Sequence, residues 1–144
     1  VVYLASKQLG APRGLHELSQ ATGVTVHRIS LTAKVVSREL GVCARASRAE
    51  DFVPRFASQL ELAPNVGERA LSLVGHVKDA KRLEANAPVD IAAGALYLAG
   101  EELDVPVTQA QIARLTGVSE VTIRKHYRLL KEAIDGSPST PEAA

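Results

Sequence analysis

Residues 108–128 read Thr-Gln-Ala-Gln-Ile-Ala-Arg-Leu-Thr-Gly-Val-Ser-Glu-Val-Thr-Ile-Arg-Lys-His-Tyr-Arg. Thr108 and Ser119 are hydroxyl residues suited to opening helices, and Gly117 lies between the two segments they would cap. The spacing is that of a short helix, a tight turn and a second helix. Ala113, Gly117, Val118 and Ile123 fall where a helix-turn-helix needs a small contact residue, a left-handed turn and two core apolar residues. The second helix then turns Val121, Thr122, Arg124, Lys125 and Arg128 outward. The chemistry such a surface offers is nucleic-acid recognition, because an α-helix fits the major groove and the start of the second helix reaches base edges. Arg124 suits a bidentate bond to guanine O6 and N7, and Val121 suits a thymine methyl. Lys125, Arg128 and Lys131 suit phosphates, which anchor without reading sequence. Gln109 and Ser119, at the starts of the two helices, complete the candidate DNA-binding set.

Charge favours this segment only modestly. The formal net charge of the 144-residue chain is +1. Between residues 103 and 134 five lysines and arginines stand against three acids, so any attraction to phosphate comes from a local patch and not from a global field. The alternative at this level is a helical hairpin with an ordinary solvated charged face.

Other chemistries find little support. His16, His27, His76 and His126 have no metal-ligand spacing and read as surface residues, and no glycine-rich loop cradles a phosphate. Cys43 is the single cysteine, which excludes an internal disulfide and a multi-thiolate metal site; it reads as a small apolar residue. An enzyme is therefore not expected, and no cofactor. No apolar run approaches the ~20 residues of a membrane span, and no signal peptide is evident. The expected location is intracellular, with no membrane partner.

The elements that must position the candidate site repeat along the chain. Tyr3-Leu4-Ala5, Pro12, Thr22-Gly23-Val24 and Ile29 recur as Tyr97-Leu98-Ala99, Pro106, Thr116-Gly117-Val118 and Ile123, each at an offset of 94. So many identities in one ungapped register imply two copies of one helical unit. The expected helices cover residues 1–9, 15–22, 25–40, 50–62, 64–83, 89–102, 108–116 and 119–134. Ile29, Ala33, Val36 and Leu40 lie on one apolar stripe, Phe52, Phe56 and Leu60 recur at i, i+4 and i+8, and Ala70, Leu71, Val74 and Val77 would face inward. The alanine-rich stretch from Ile91 to Ala99 is apolar nearly all round, as a central buried helix would be. With 46% hydrophobic residues and 3% aromatic, the core must be built from Ala, Val, Leu and Ile, and no alternating strand pattern occurs. The fold class is all-α. Residues 1–43 form the C-terminal part of a first unit and 44–49 a linker. Residues 50–135 form a complete second unit with its helix-turn-helix at 108–134, and 136–144 a disordered tail. The chain starts inside a helical pattern and looks like a piece of a longer protein. A first unit lacking two helices should expose the faces they would cover.

Residues Thr116 to Arg124, followed by Tyr127-Arg128-Leu129, resemble the end of the second cyclin-like repeat of the transcription initiation factor B family (factor IIB in eukaryotes). Asp51-Phe52-Val53-Pro54-Arg55-Phe56 resembles the opening of that repeat, and Pro88 with the Ala92–Ala99 run resembles its central helix. Short connections between helices look more like the archaeal branch. The resemblance implies cyclin-like repeats, one partial and one complete, each ending in a helix-turn-helix. It implies a monomeric, archaeal, nucleoid-associated factor that binds the TATA-binding protein on promoter DNA and reads an upstream recognition element. Val121 and Arg124 fall on the base-reading positions, with Thr122 and Lys125 beside them. Arg28, Lys34, Arg38, Arg48 and Arg55 are candidate partner-binding residues. RNA polymerase would be engaged through a zinc ribbon whose cysteines this chain lacks, so no zinc is expected here. A cyclin-like adaptor that binds only protein, and a regulator binding a palindrome as a dimer, are the competing readings.

Overall fold

The computed structural model describes residues 1–42, 47–77 and 87–135. Among these residues there are eight helices and no strand. They are α1 (Val2–Gln8), α2 (Leu15–Thr22), α3 (Val26–Leu40), α4 (Ala49–Gln59), α5 (Pro64–Val77), α6 (Pro88–Glu102), α7 (Gln109–Thr116) and α8 (Glu120–Asp135). Cys43, residues 44–46 of the 44–49 linker, the stretch expected to continue α5, the side chain of Val77 and the 136–144 tail lie outside the described residues.

The repeat is visible in the backbone. α2 and α7 are both eight residues long and begin 94 residues apart. Each ends on a left-handed glycine, Gly23 at φ 75° and ψ 2° and Gly117 at φ 77° and ψ 2°. α1 and α6 end at equivalent residues, Gln8 and Glu102, and each is followed by a positive φ, at Gly10 and at Asp104.

In the second unit α6 is the axle. Ile91 to Leu96, and Leu98 to Gly100, are all buried. α4 and α5 pack on one side of it and α8 on another. Phe52, Val53 and Phe56 of α4, Val66, Ala70, Leu73 and Val74 of α5, and Ile123 and Leu130 of α8 fill the core with α6. Of the stripe expected on α5, Ala70 and Val74 are buried and Leu71 is half-buried, while the fully buried Leu73 is an addition.

Small residues on α6 let α8 come close. A Cβ placed on Gly94 would lie 2.7 Å from His126 Cβ and 3.0 Å from the His126 carbonyl carbon. The backbone of α8 therefore rests against the bare face of α6.

His126 was expected at the surface, and the structure corrects this: it is 1% exposed. It lies on the inward stripe of α8 between Ile123 and Leu130, above Gly94. Its Nδ1 is 2.9 Å from the Thr122 carbonyl oxygen.

The first unit contains α1, α2 and α3, the counterparts of α6, α7 and α8. α3 packs on α1 and α2. α2 and α3 contain no buried residue, and Leu4 and Pro12 are the buried apolar anchors of this half. Ile29, Ala33 and Val36 are half-buried, and Leu40 is 69% exposed, so the expected stripe is only partly covered. Among the described residues α8 has α5 against it as well as α6 and α7, whereas no helix takes the place of α5 against α3.

The two halves meet at α2, which packs on α7. Arg55 of α4 reaches across to α2, with Nη2 2.8 Å from Glu17 Oε2 and Nη1 2.5 Å from the Pro12 carbonyl oxygen. Arg13 joins the same carboxylate at 2.9 Å.

Candidate nucleic-acid interface

The interface is built from the two capped helices α7 and α8. Thr108 accepts from the Gln111 amide at 3.1 Å, and the Gln111 side chain accepts from the Thr108 amide at 2.8 Å. This reciprocal pair is a capping box, which satisfies two orphan donors of the first turn. α8 is opened by Ser119, whose Oγ accepts from the Thr122 amide at 3.2 Å and lies 2.8 Å from Thr122 Oγ1. Both hydroxyls are thus committed to the start of α8.

A latch not anticipated from the motif holds the turn. The buried Thr116 hydroxyl donates to the Ile112 carbonyl at 2.8 Å and accepts from the Val118 amide at 3.2 Å. The first unit repeats it: Thr22 donates to Leu18 at 2.6 Å and accepts from Val24 at 3.3 Å. The recurrence of Thr-Gly-Val at the offset of 94 was the signal for it. Val118 and Ile123 are buried as expected, and Ala113 is half-buried. A second unanticipated contact comes from α2. A Cβ on Gly117 would lie 2.3 Å from His16 Cγ, so the imidazole sits on the bare glycine of the turn.

The outward face of α8 matches the sequence reading. Val121 is 68% exposed, and Arg124, Lys125 and Arg128 are exposed. An exposed aliphatic side chain beside three cations on one helix is the combination that would suit a thymine methyl flanked by phosphates. Ser119 is exposed, and Thr122 and Gln109 are half-buried. Gln109 and Arg124, fifteen residues apart, are brought together: Arg124 Nη1 donates to Gln109 Oε1 at 3.2 Å. Lys131 turns instead to its own helix and α6. Its Nζ donates to the Tyr127 hydroxyl at 3.1 Å and lies 4.0 Å from Glu101. The Tyr127 hydroxyl also donates to Glu101. Burial, then that bond to Glu101, holds the Tyr127 phenol above its ordinary range.

Of the candidate partner-binding residues, Lys34 and Arg38 line one groove between α1 and α3, with Lys7. Arg28, Lys34, Arg38 and Arg48 are exposed on α3 and at the start of α4, and Arg38 lies 4.0 Å from Glu39. Arg55 is taken up between the two halves, over Phe52 and Phe56. Burial pushes its guanidinium below the ordinary arginine value, and Glu17 opposes that shift. Among the described residues no three His, Cys, Asp or Glu side chains are grouped as a metal site, and no helix is long and apolar enough to cross a membrane.

Four helices packed on an apolar axle, a recurring three-helix ending and a glycine-turned pair with an exposed cationic second helix define a cyclin-like, helix-turn-helix repeat protein. Residues 43–133 match the transcription factor TFIIB repeat, and the chain belongs to that family. It is 39% identical over 137 residues to transcription initiation factor IIB 6 of Halobacterium salinarum, covering 95% of this chain and 43% of the relative. It is 33% identical over 133 residues to transcription initiation factor IIB of Archaeoglobus fulgidus, covering 92% and 41%. Against the namesake from Methanocaldococcus jannaschii the identity is 34% over 134 residues, covering 93% of this chain and 20% of the relative. The chain therefore spans less than half the length of these curated relatives.

Proposed function

We propose that this chain is the core of a general transcription initiation factor, which binds promoter DNA together with a TATA-binding protein and reads an upstream recognition element through α8. The observation that carries the reading is the free tip of α8, where Val121 and Arg124 stand exposed one turn apart beside Lys125 and Arg128. Val121 and Arg124 carry base recognition, while Lys125 and Arg128 anchor phosphates. The names of the archaeal relatives support the transcriptional role.

The test is a mobility shift on a TATA-box duplex with an archaeal TATA-binding protein, with and without the upstream element. Arg124→Ala should weaken binding to the element-bearing duplex by about 1–3 kcal/mol and blunt the preference for it. Wild-type affinity should fall steeply with salt as phosphate contacts release counterions. A wild-type chain that binds the TATA-binding protein without shifting DNA, and an Arg124→Ala variant that behaves identically, would leave a protein-only adaptor in place of this reading.

A further inference from the structure

Arginine side chains on an exposed helix face sample many rotamers, and a base-reading arginine loses that freedom when it binds. Arg124 is not left to sample freely. Its Nη1 donates to Oε1 of Gln109, the first residue of α7, at 3.2 Å. Gln109 itself stands on a fixed base, because the Thr108–Gln111 box pins the first turn of α7. With Nη1 occupied, the Nε and Nη2 hydrogens remain together on one edge of the guanidinium. Two parallel donors on one edge are what a guanine O6 and N7 pair accepts. The repeat supplies an independent observation. At the offset of 94 the counterparts of Gln109 and Arg124 are Leu15 and Ser30, so acceptor and cation are both absent from the first unit.

We infer that Gln109 is a positioning residue for Arg124, holding its guanidinium in a base-reading orientation and thereby setting specificity at the base pair that Arg124 contacts. This rests on the reading of Arg124 as a base reader given above. Gln109 acts through the arginine and not through a phosphate of its own.

The experiment uses the full chain with an archaeal TATA-binding protein and duplexes carrying a TATA box below randomised base pairs. Bound sequences are selected for wild type, Arg124→Ala, Gln109→Ala and Gln109→Glu, and affinities are then measured on the preferred duplex and on its single-base changes. Arg124→Ala should erase the preference at one base pair. Gln109→Ala should reduce the preference at that same base pair by roughly 2- to 10-fold, the net worth of one ordinary solvent-exposed hydrogen bond, with other positions and the melting temperature unchanged. Gln109→Glu keeps the acceptor and should keep the preference, although the added negative charge weakens binding to every duplex. Gln109→Ala that weakens all duplexes alike, with a shallower salt dependence and intact preference, would show a phosphate contact and overturn the inference. Arg124→Ala erasing the preference while Gln109→Ala leaves it untouched overturns the positioning role alone. No change of preference with Arg124→Ala overturns the base-reading assignment, and the positioning role with it.

Discussion

Among the glycines inside helices, Gly94 should resist replacement by alanine and Gly75 should accept it. Both lie inside helices, where Gly→Ala alone stabilises by roughly 0.5–1 kcal/mol. At Gly75 of α5 nothing lies within 4 Å of a new Cβ, so that gain is the whole effect. At Gly94 the new methyl would lie 2.7 Å from His126 Cβ, 3.0 Å from the His126 carbonyl carbon and 3.1 Å from the Tyr127 amide nitrogen. Two of those three atoms are backbone, so no rotamer change relieves the clash and α8 must move as a body. Overpacking of this kind costs about 1–3 kcal/mol, and contact with backbone places it near the upper end. After the helix-propensity gain, Gly94→Ala should be destabilised by roughly 2 kcal/mol. Urea or thermal unfolding followed by circular dichroism measures both variants. At roughly 4 °C per kcal/mol for a chain of this size, Gly94→Ala melts roughly 8 °C lower while Gly75→Ala melts slightly higher. A Gly94→Ala protein as stable as Gly75→Ala would refute the claim that α8 rests on the bare face of α6. The same displacement carries the reading tip with it, so weaker DNA binding should accompany the loss of stability.

Two further predictions concern how the halves are held. Arg55→Ala should cost about 1–2 kcal/mol by removing charge-assisted bonds to Glu17 and the Pro12 carbonyl, and a double-mutant cycle with Glu17→Ala should give a coupling of about 1 kcal/mol. A coupling indistinguishable from zero by urea unfolding would mean that the pair does not join the halves. Native-state hydrogen exchange should find the amides of α6 protected to the global limit and those of α3 exchanging orders of magnitude faster, because α3 buries no residue. Equal protection in α3 and α6 would contradict the difference in cover described above.

Where local rules decide, the sequence could be read directly. Thr25, Thr108 and Ser119 announced the helices they precede, Gly23 and Gly117 the left-handed turns, and the offset of 94 the pairing of α2 with α7 and α3 with α8. The outward set on α8 followed from helical period once Ile123 was placed inside. What local rules could not give were partners chosen across long stretches of chain. His126 is a polar type on an apolar stripe, and its burial depends on a glycine of α6 that leaves room for it. Arg55 looked free for a partner, because Glu17 lies 38 residues earlier. Lys131, read as a phosphate anchor, also bonds the Tyr127 hydroxyl beside Glu101, a partner on another helix that period could not give. Leu40 sits on the inward side of α3 by period alone, yet period says nothing about whether another helix arrives to cover it.

The imidazole of His16 rests on the glycine of the α7–α8 turn, so the two halves share a contact at the base of α8. A contact of this kind works in both directions. If α8 reads DNA as proposed, a ligand of the first half that tilts α2 would shift the contact at the turn before α8, and so alter the grip on DNA by some factor. Thermodynamic reciprocity then requires DNA at the tip to alter the affinity of that ligand by the same factor. A promoter could thus signal its sequence back through one ring and one missing side chain to whatever holds the opposite end of the molecule.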